Sequence, residues 1–324
     1  MVKLICGIIA VAAVLLGSGI WFITNPVWLS SIDPVVAPAA QPERLRSDVE
    51  ILAASEPSRA FHNVAALDRA ADHISAEFGK AGCEPERQTF AVKGNAFHNI
   101  VCSWGPQDAP RLIIGAHYDV ADDDNPGADD NASGVAALLE LARMIEQTKP
   151  VLSRRVDLVA FSLEEPPNFR SNRMGSAVFA GKLADQGVAV DLMISVEMIG
   201  YFSDEPGSQG YPVGGLDLIY PDTGNFIGVI GDAFERWAVA RVKALMKAGN
   251  TLPVYSINAP ASLPGIDFSD HLSFWNNGFP ALMVTDTSFY RNPNYHTPDD
   301  LPETLDYHRM AKVVDGLYQV LAQY

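Results

Sequence analysis

The sequence predicts an α/β fold: a mixed, mostly parallel central sheet with helices on both faces, forming a single domain. Near-continuous apolar runs at 97–104, 111–117, 156–163, 192–198 and 281–285 read as strands buried on both faces. Stretches with helical spacing lie between them, at 132–146, 173–186, 226–248 and from 302 to the C-terminus. Polar residues with chemical potential gather just beyond the apolar runs, where sheets of this kind bind ligands.

Taken in order, the chain opens on the uncharged stretch LICGIIAVAAVLLGSGIWFI at 4–23, preceded by Lys3 and followed by Trp28 near an expected interface. About 20 apolar residues span a bilayer as a helix. A cleaved signal peptide has a shorter apolar region of roughly 7 to 15 residues. Residues 1–24 therefore read as a signal anchor, or as a signal peptide if VVAPAA at 35–40 serves as a cleavage site. The expected location is exported and membrane-anchored with the body outside the cytoplasm, periplasmic or extracellular, and secreted if the segment is cleaved. Pro26, Pro34, Pro38 and Pro42 make 25–45 a linker, with the catalytic domain over 46–324. In 62–82, Val64, Leu67, Ala71, Ile74 and Phe78 fall on one helical face that ends in glycine. The next segment reads as a hairpin turning near Gly94 and flanked by Cys83 and Cys102. In an exported body these two form a disulfide, and otherwise they are buried thiols. The Gly- and Pro-rich stretch 201–264, apart from its helix, reads as loops around the site.

A net charge of -16 excludes a phosphate-binding surface, so no nucleic-acid partner is expected. The 48% hydrophobic content suffices for a large core. Oligomeric state is not readable.

Five segments end in possible ligands: His117 and Asp119, Asp129 and Asp130, Glu164 and Glu165, Glu197, and Tyr295 with His296. Singly, each has a plain structural explanation. Glu197 resists it, because a carboxylate inside MISVEMIG is costly to bury without a cation. Two imidazoles with at least three carboxylates match the ligands zinc accepts, and a bridging carboxylate lets two ions share a pocket. A calcium loop in DDDNPGADDN fails, because Pro126 falls on a ligand position.

From about His62 onward the chain resembles the M28 family of zinc metallopeptidases in AHYDV, PGADDNASGVAALLELAR, FSLEEP, VEMIG, SDHLSFWNNGFPAL and YHTPDD, which occur in the family's order. The resemblance implies a zinc-aminopeptidase or phosphorylase-hydrolase-like fold and two zinc ions. His117 and Glu197 would complete one site and Glu165 with His296 the other, bridged by Asp129. Glu164 would be the general base and Tyr295 an oxyanion donor. Asp119 would orient His117, Asp130 would lie at a cis peptide bond, and His271 would line the pocket or be structural. The family more often has aspartate at the position of Glu197.

The implied function is hydrolysis of peptide bonds, releasing N-terminal amino acids from a peptide substrate. A glutaminyl cyclase-type acyltransferase, which shares several of these ligand positions, is the rival within enzymes, although DDNASG favours the peptidase. Carboxypeptidase-like and amino-acid-amide activities are also open. The rival outside enzymes is a non-catalytic, membrane-anchored binding domain, against which the intact Glu164 and full ligand set argue.

Overall fold

The computed structural model of the chain describes residues 2–26 and 32–324, except for the side chains of 2–5 and 7–10. Trp28 lies outside the described residues. Eight strands form one sheet: β1 (Glu86–Val92), β2 (Asn95–Trp104), β3 (Arg111–His117), β4 (Arg155–Phe161), β5 (Val190–Glu197), β6 (Ile227–Gly231), β7 (Val254–Asn258) and β8 (Ala281–Thr285). Their spatial order is β1-β2-β4-β3-β5-β8-β6-β7. Strands β4, β3, β5 and β8 run parallel at the centre. The hairpin β1–β2 adds antiparallel strands at one edge, and β6 pairs antiparallel with β8.

The central strands are apolar because both faces are covered. On one face lie α2 (Pro42–Ala53), α3 (Val64–Lys80), α4 (Gly134–Thr148), α6 (Arg236–Lys247) and α8 (Tyr307–Gln323), contributing Leu45, Ile74, Leu138, Val242 and Leu317 to the larger core. On the other, α5 (Gly175–Asp185) and α7 (His271–Asn276) bring Phe179 and Phe274 against Ile113, Phe161 and Met193. Each such side chain contributes about 1.5–3 kcal/mol on burial. Register then places the chemistry. Gly115 pairs with Ser195, so His117 and Glu197 emerge level at the carboxyl edge.

Three expectations need correction. The single helix expected over 226–248 is a strand followed by a helix, because Gly228 and Gly231 within IGVIG disfavour helix while the β-branched Ile227, Val229 and Ile230 favour a strand. Asp232 ends that strand by accepting hydrogen bonds from the Phe234 and Glu235 amides. The loops expected up to 264 also contain β7. Finally, the expected linker is strapped to the body. Val35 exchanges hydrogen bonds with Gln319, the Ala40 amide donates to Asp315, and α2 begins at Pro42 and buries Leu45 and Val49. Prolines keep 32–41 from being helical without making it free.

Cys83 and Cys102 are bonded, with Cα atoms 6.1 Å apart. The N-terminal segment is helical over Val2–Thr24, here α1. Among the described residues no helix is long and apolar enough to cross a membrane. The C-terminal end of α1 is held by the body. Lys243 Nζ donates to the Thr24 and Asn25 carbonyls, Ser256 Oγ to Thr24 O, and Asn258 Nδ2 to Phe22 O.

Candidate metal centre

The segment GADDNASG joins the loop after β3 to α4. Gly127 sits at φ 61, and a Cβ there would lie 2.4 Å from the Asp130 carbonyl. A Cβ at Gly134 would lie 2.6 Å from the Val196 carbonyl of β5. Only glycine lets the backbone pass so close at both ends. Between them the helical path breaks at Asp130 (φ -103, ψ 89) and Asn131, and the Asp130–Asn131 peptide is cis.

That path turns the two aspartates in opposite directions. Asp130 faces the strand ends: its Oδ1 lies 3.3 Å from His117 Nε2 and its Oδ2 lies 3.0 Å from His296 Nε2. Asp129 faces away, its carboxylate accepting hydrogen bonds from the Gly200 amide and from Asn292 Nδ2. The expectation that Asp129 bridges two ions is therefore corrected: Asp130, not Asp129, stands between the two imidazoles. Adjacent aspartates cannot be told apart by spacing when the backbone between them leaves the helix.

Around Asp130 stand two triads. His117 Nε2 lies 3.3 Å from Glu197 Oε2, completing the first with Asp130. His296 Nε2 lies 3.2 Å from Glu165 Oε1, completing the second. Glu164 Oε2 is farther off, 4.0 Å from His117 Nε2, although it forms a third possible group with His117 and Glu165. Tyr295 stacks on His296 with ring centroids 3.7 Å apart and lines the same pocket.

These atoms are arranged as ligands rather than as hydrogen-bond partners. Glu165 Oε1 and His296 Nε2 are buried and have no hydrogen-bond partner, despite their proximity. Tetrahedral zinc with ligands at about 2.0–2.1 Å holds its donor atoms roughly 3.3 Å apart. The charge points the same way. Asp130, Glu164, Glu165 and Glu197 are buried around only two imidazoles. Burial, with Asp130 adding to it, pushes the Glu165 carboxyl up to about 8, and burial raises Glu164 well above the usual range. Burial opposes the charge on His296, but Asp130 and Glu165 prevail and raise it to about 10. A dication in each triad would remove this crowding and return the carboxylates to their ionised forms.

The supporting residues explain how such a set is held. His117 Nδ1 lies 3.2 Å from the Asp119 main-chain carbonyl, which can only accept, so the hydrogen sits on Nδ1 and leaves the Nε2 lone pair free. The Asp119 carboxylate, expected to orient His117, lies 3.6 Å from that ring and instead accepts from the Glu164 and Glu165 amides. Asp300 similarly accepts from the Asp129 and Asp130 amides. Ser269 donates to Glu197 Oε2 at 2.6 Å. Leu163, Met198 and His296 adopt φ of 64, 48 and 55, a region other residues avoid. Each is a candidate ligand or adjoins Glu164 or Glu197, so these three strained positions fall where side chains must be aimed. His271 is structural: it is fully buried, bonded to Ile266 O and set edge-on to Trp275.

Sequence reasoning missed Arg59. It is 1% exposed and donates to the carbonyls of Leu52, Tyr118, Pro126 and Gly127, tying α2 to both ends of the loop between β3 and the paired aspartates. It also missed Asp270, a buried carboxylate without a hydrogen-bond partner beside His117 and Glu197. The segment SDHLSF drew attention to its histidine instead.

A family model for peptidase family M28 matches residues 99–321. The chain is 46% identical over 301 residues to the uncharacterized protein YfbL of Escherichia coli (strain K12), covering 91% of each chain. A probable leucine aminopeptidase of Arthroderma otae is 27% identical over 263 residues, 77% of this chain and 63% of that one. The chain thus spans less than two thirds of that relative's length. In fold, the crystal structure of the LapA aminopeptidase of Legionella pneumophila is similar with a TM-score of 0.70, at 20% identity over 88% of this chain and 73% of that one.

Proposed function

The chain belongs to peptidase family M28, and on that premise we propose that it releases N-terminal amino acids from peptides by zinc-dependent hydrolysis, with two ions sharing Asp130. One observation carries the reading: the two oxygens of one carboxylate each face a different imidazole, 3.3 and 3.0 Å away. His117 and Glu197 would hold one ion, Glu165 and His296 the other. When bound, such ions polarise a scissile carbonyl and lower the pKa of an attacking water.

The chain's own residues supply the rest. Glu164 stands beside both triads and outside the shared pair of sites, where its carboxylate takes the water's proton and hands it to the leaving nitrogen. Burial, then Asp130 and Glu165, holds the Tyr295 hydroxyl protonated, so it donates to the developing oxyanion. The pocket leading away from this centre is walled by Tyr211, Tyr220, Phe226, Tyr255, Phe268 and Phe289. That wall suits a large apolar first side chain, and the carboxylates at its inner end suit a free, protonated α-amine.

Location is part of the same proposal. The uncharged run at 4–23 anchors the chain in a membrane with the body outside the cytoplasm. The exposed side chains of Val11, Val14, Leu15 and Leu16 along α1 and the bonded Cys83–Cys102 pair support this reading.

The test is elemental analysis of the purified protein together with turnover of aminoacyl-nitroanilides before and after chelation. Nearly two zinc ions per chain and chelator-sensitive release of large apolar residues are expected. One ion without release would redirect the reading to a cyclase, and no metal would overturn the centre.

A further inference from the structure

Where α1 meets the body, a patch of aromatic side chains surrounds one guanidinium. The Arg236 guanidinium lies 3.9 Å from the Trp21 ring centroid, 4.6 Å from Trp237 and 5.4 Å from Phe22. Phe234 is 91% exposed and Trp237 74%, large apolar groups left in the open at the start of α6. Trp21 and Phe22 are also exposed, so the patch continues without a break from the end of α1 onto the body.

Its charge differs from that of the rest of the chain. Residues 232–247 carry Arg236, Arg241, Lys243 and Lys247 against only Asp232 and Glu235, in a protein of net charge -16. Asp232 is occupied in capping the turn before α6, and burial with Asp232 nearby pushes the Glu235 carboxyl up to about 7. Lys243 is turned inward onto the carbonyls that end α1. Arg236 is buried beneath its ring neighbours, Arg241 is exposed but donates to the Gln323 and Tyr324 carbonyls, and Lys247 is exposed.

We propose that this face of the body, centred on Phe234 and Trp237, rests on the headgroup layer of an anionic lipid bilayer, beside the point where α1 leaves it. The inference depends on the proposed anchoring of α1. Its occupant follows from continuity: a surface contiguous with exposed apolar side chains of the anchor meets what the anchor meets. Aromatic rings with a polar or cationic edge favour the membrane–water boundary, and an exposed cation such as Lys247 gains about 1 kcal/mol at an anionic surface. Because Lys243, Ser256 and Asn258 clasp the end of α1, the body cannot turn freely about it. Ser256 also lines the substrate pocket, so docking fixes the pocket's orientation relative to the bilayer.

The test uses the full chain in vesicles of phosphatidylcholine and phosphatidylglycerol, with Cys6→Ser removing the free thiol. Phe234→Cys is labelled with an environment-sensitive fluorophore. Asn95→Cys, at the exposed start of β2 beside the β1–β2 turn and at the opposite edge of the sheet from β7, serves as the control. Trp237→Cys repeats the measurement on the same face. The expected result is a blue-shifted label at 234 and at 237, quenched several-fold more by headgroup-level spin-labelled lipid than the label at 95, which aqueous iodide reaches instead. Protein that resists alkaline extraction while iodide reaches all three labels equally would overturn the docking and leave the anchor intact. Protein that washes off would overturn the anchor and the docking together. Labels shielded from iodide, unquenched by spin-labelled lipid and cross-linking to a second copy would assign the patch to self-association instead.

Discussion

Replacing the two adjacent aspartates one at a time separates the bridging carboxylate from its neighbour. In Asp130→Asn, a neutral amide replaces a carboxylate whose oxygens serve one triad each, at 3.3 and 3.0 Å from the two imidazoles. Interactions with a charged group contribute about 1.5–3 kcal/mol each, so two together amount to roughly 3–6 kcal/mol, or about 10²- to 10⁴-fold in combined metal retention and turnover. In Asp129→Asn the outcome differs. Burial, with Asp286 beside it, already raises the Asp129 carboxyl well above the usual range, and an amide reproduces the protonated form that this favours. An oxygen remains to accept from Gly200 or Asn292, so one interaction at most is weakened, for about a tenfold loss or less. Both variants are assayed for bound zinc after dialysis and for kcat/KM on a leucine nitroanilide. If Asp129→Asn lost both ions while Asp130→Asn kept them, the assignment of the bridge from side-chain direction would be refuted.

Other perturbations test the remaining parts. Glu164→Gln is expected to lower kcat by about 10²- to 10⁴-fold with two ions retained, and loss of metal instead would make it a ligand. Stripping the metal is expected to make stability fall as pH rises. The Glu165 and Asp270 carboxyls are held up to about 8 and about 7, so the folded protein keeps protons that the unfolded chain has already released. The stability they contribute is therefore full below the ordinary carboxyl values of 4.5 and 3.8 and is lost as pH climbs through 7 to 8. Thermal melts of stripped and zinc-loaded protein from acidic to mildly alkaline pH should diverge, and a stripped protein that gained stability over that range would contradict the argument. A chain beginning at Ile32 is expected to fold. One beginning at Leu45 loses Arg44, the 2.5 Å partner of the fully buried Glu140, which keeps Arg143 at 3.5 Å, so a loss of about 1.5–3 kcal/mol is expected, read as a lower urea midpoint.

Much of this centre was legible because its residues stand at the ends of apolar runs. His117, Glu164, Glu165 and Glu197 follow strands whose composition announces burial on both faces, and His296 with Tyr295 lies in a segment with its own motif. What decides between Asp129 and Asp130 is a local backbone path that no periodicity records. Arg59 was illegible for a different reason: its partners are main-chain carbonyls, which every residue carries. The second half of the sheet was partly misread because IGVIG and the helix after it are both apolar, and only the glycines and Asp232 mark the change. The prolines at 34, 38 and 42 gave a true statement about helix and a misleading one about freedom.

The side-chain pocket and the ligand set are drawn from different stretches of chain. The ligands come from the ends of β3, β4 and β5, the loop before α4 and the segment carrying His296. The aromatic wall comes mainly from residues between Tyr211 and Phe289. Reagent and sieve thus lie largely on different tracts, with Ser269 and Asp270 as the points where the wall's tract also supports the centre. Substitutions in the aromatic wall can therefore alter which side chain is accepted while leaving the ligand set itself untouched.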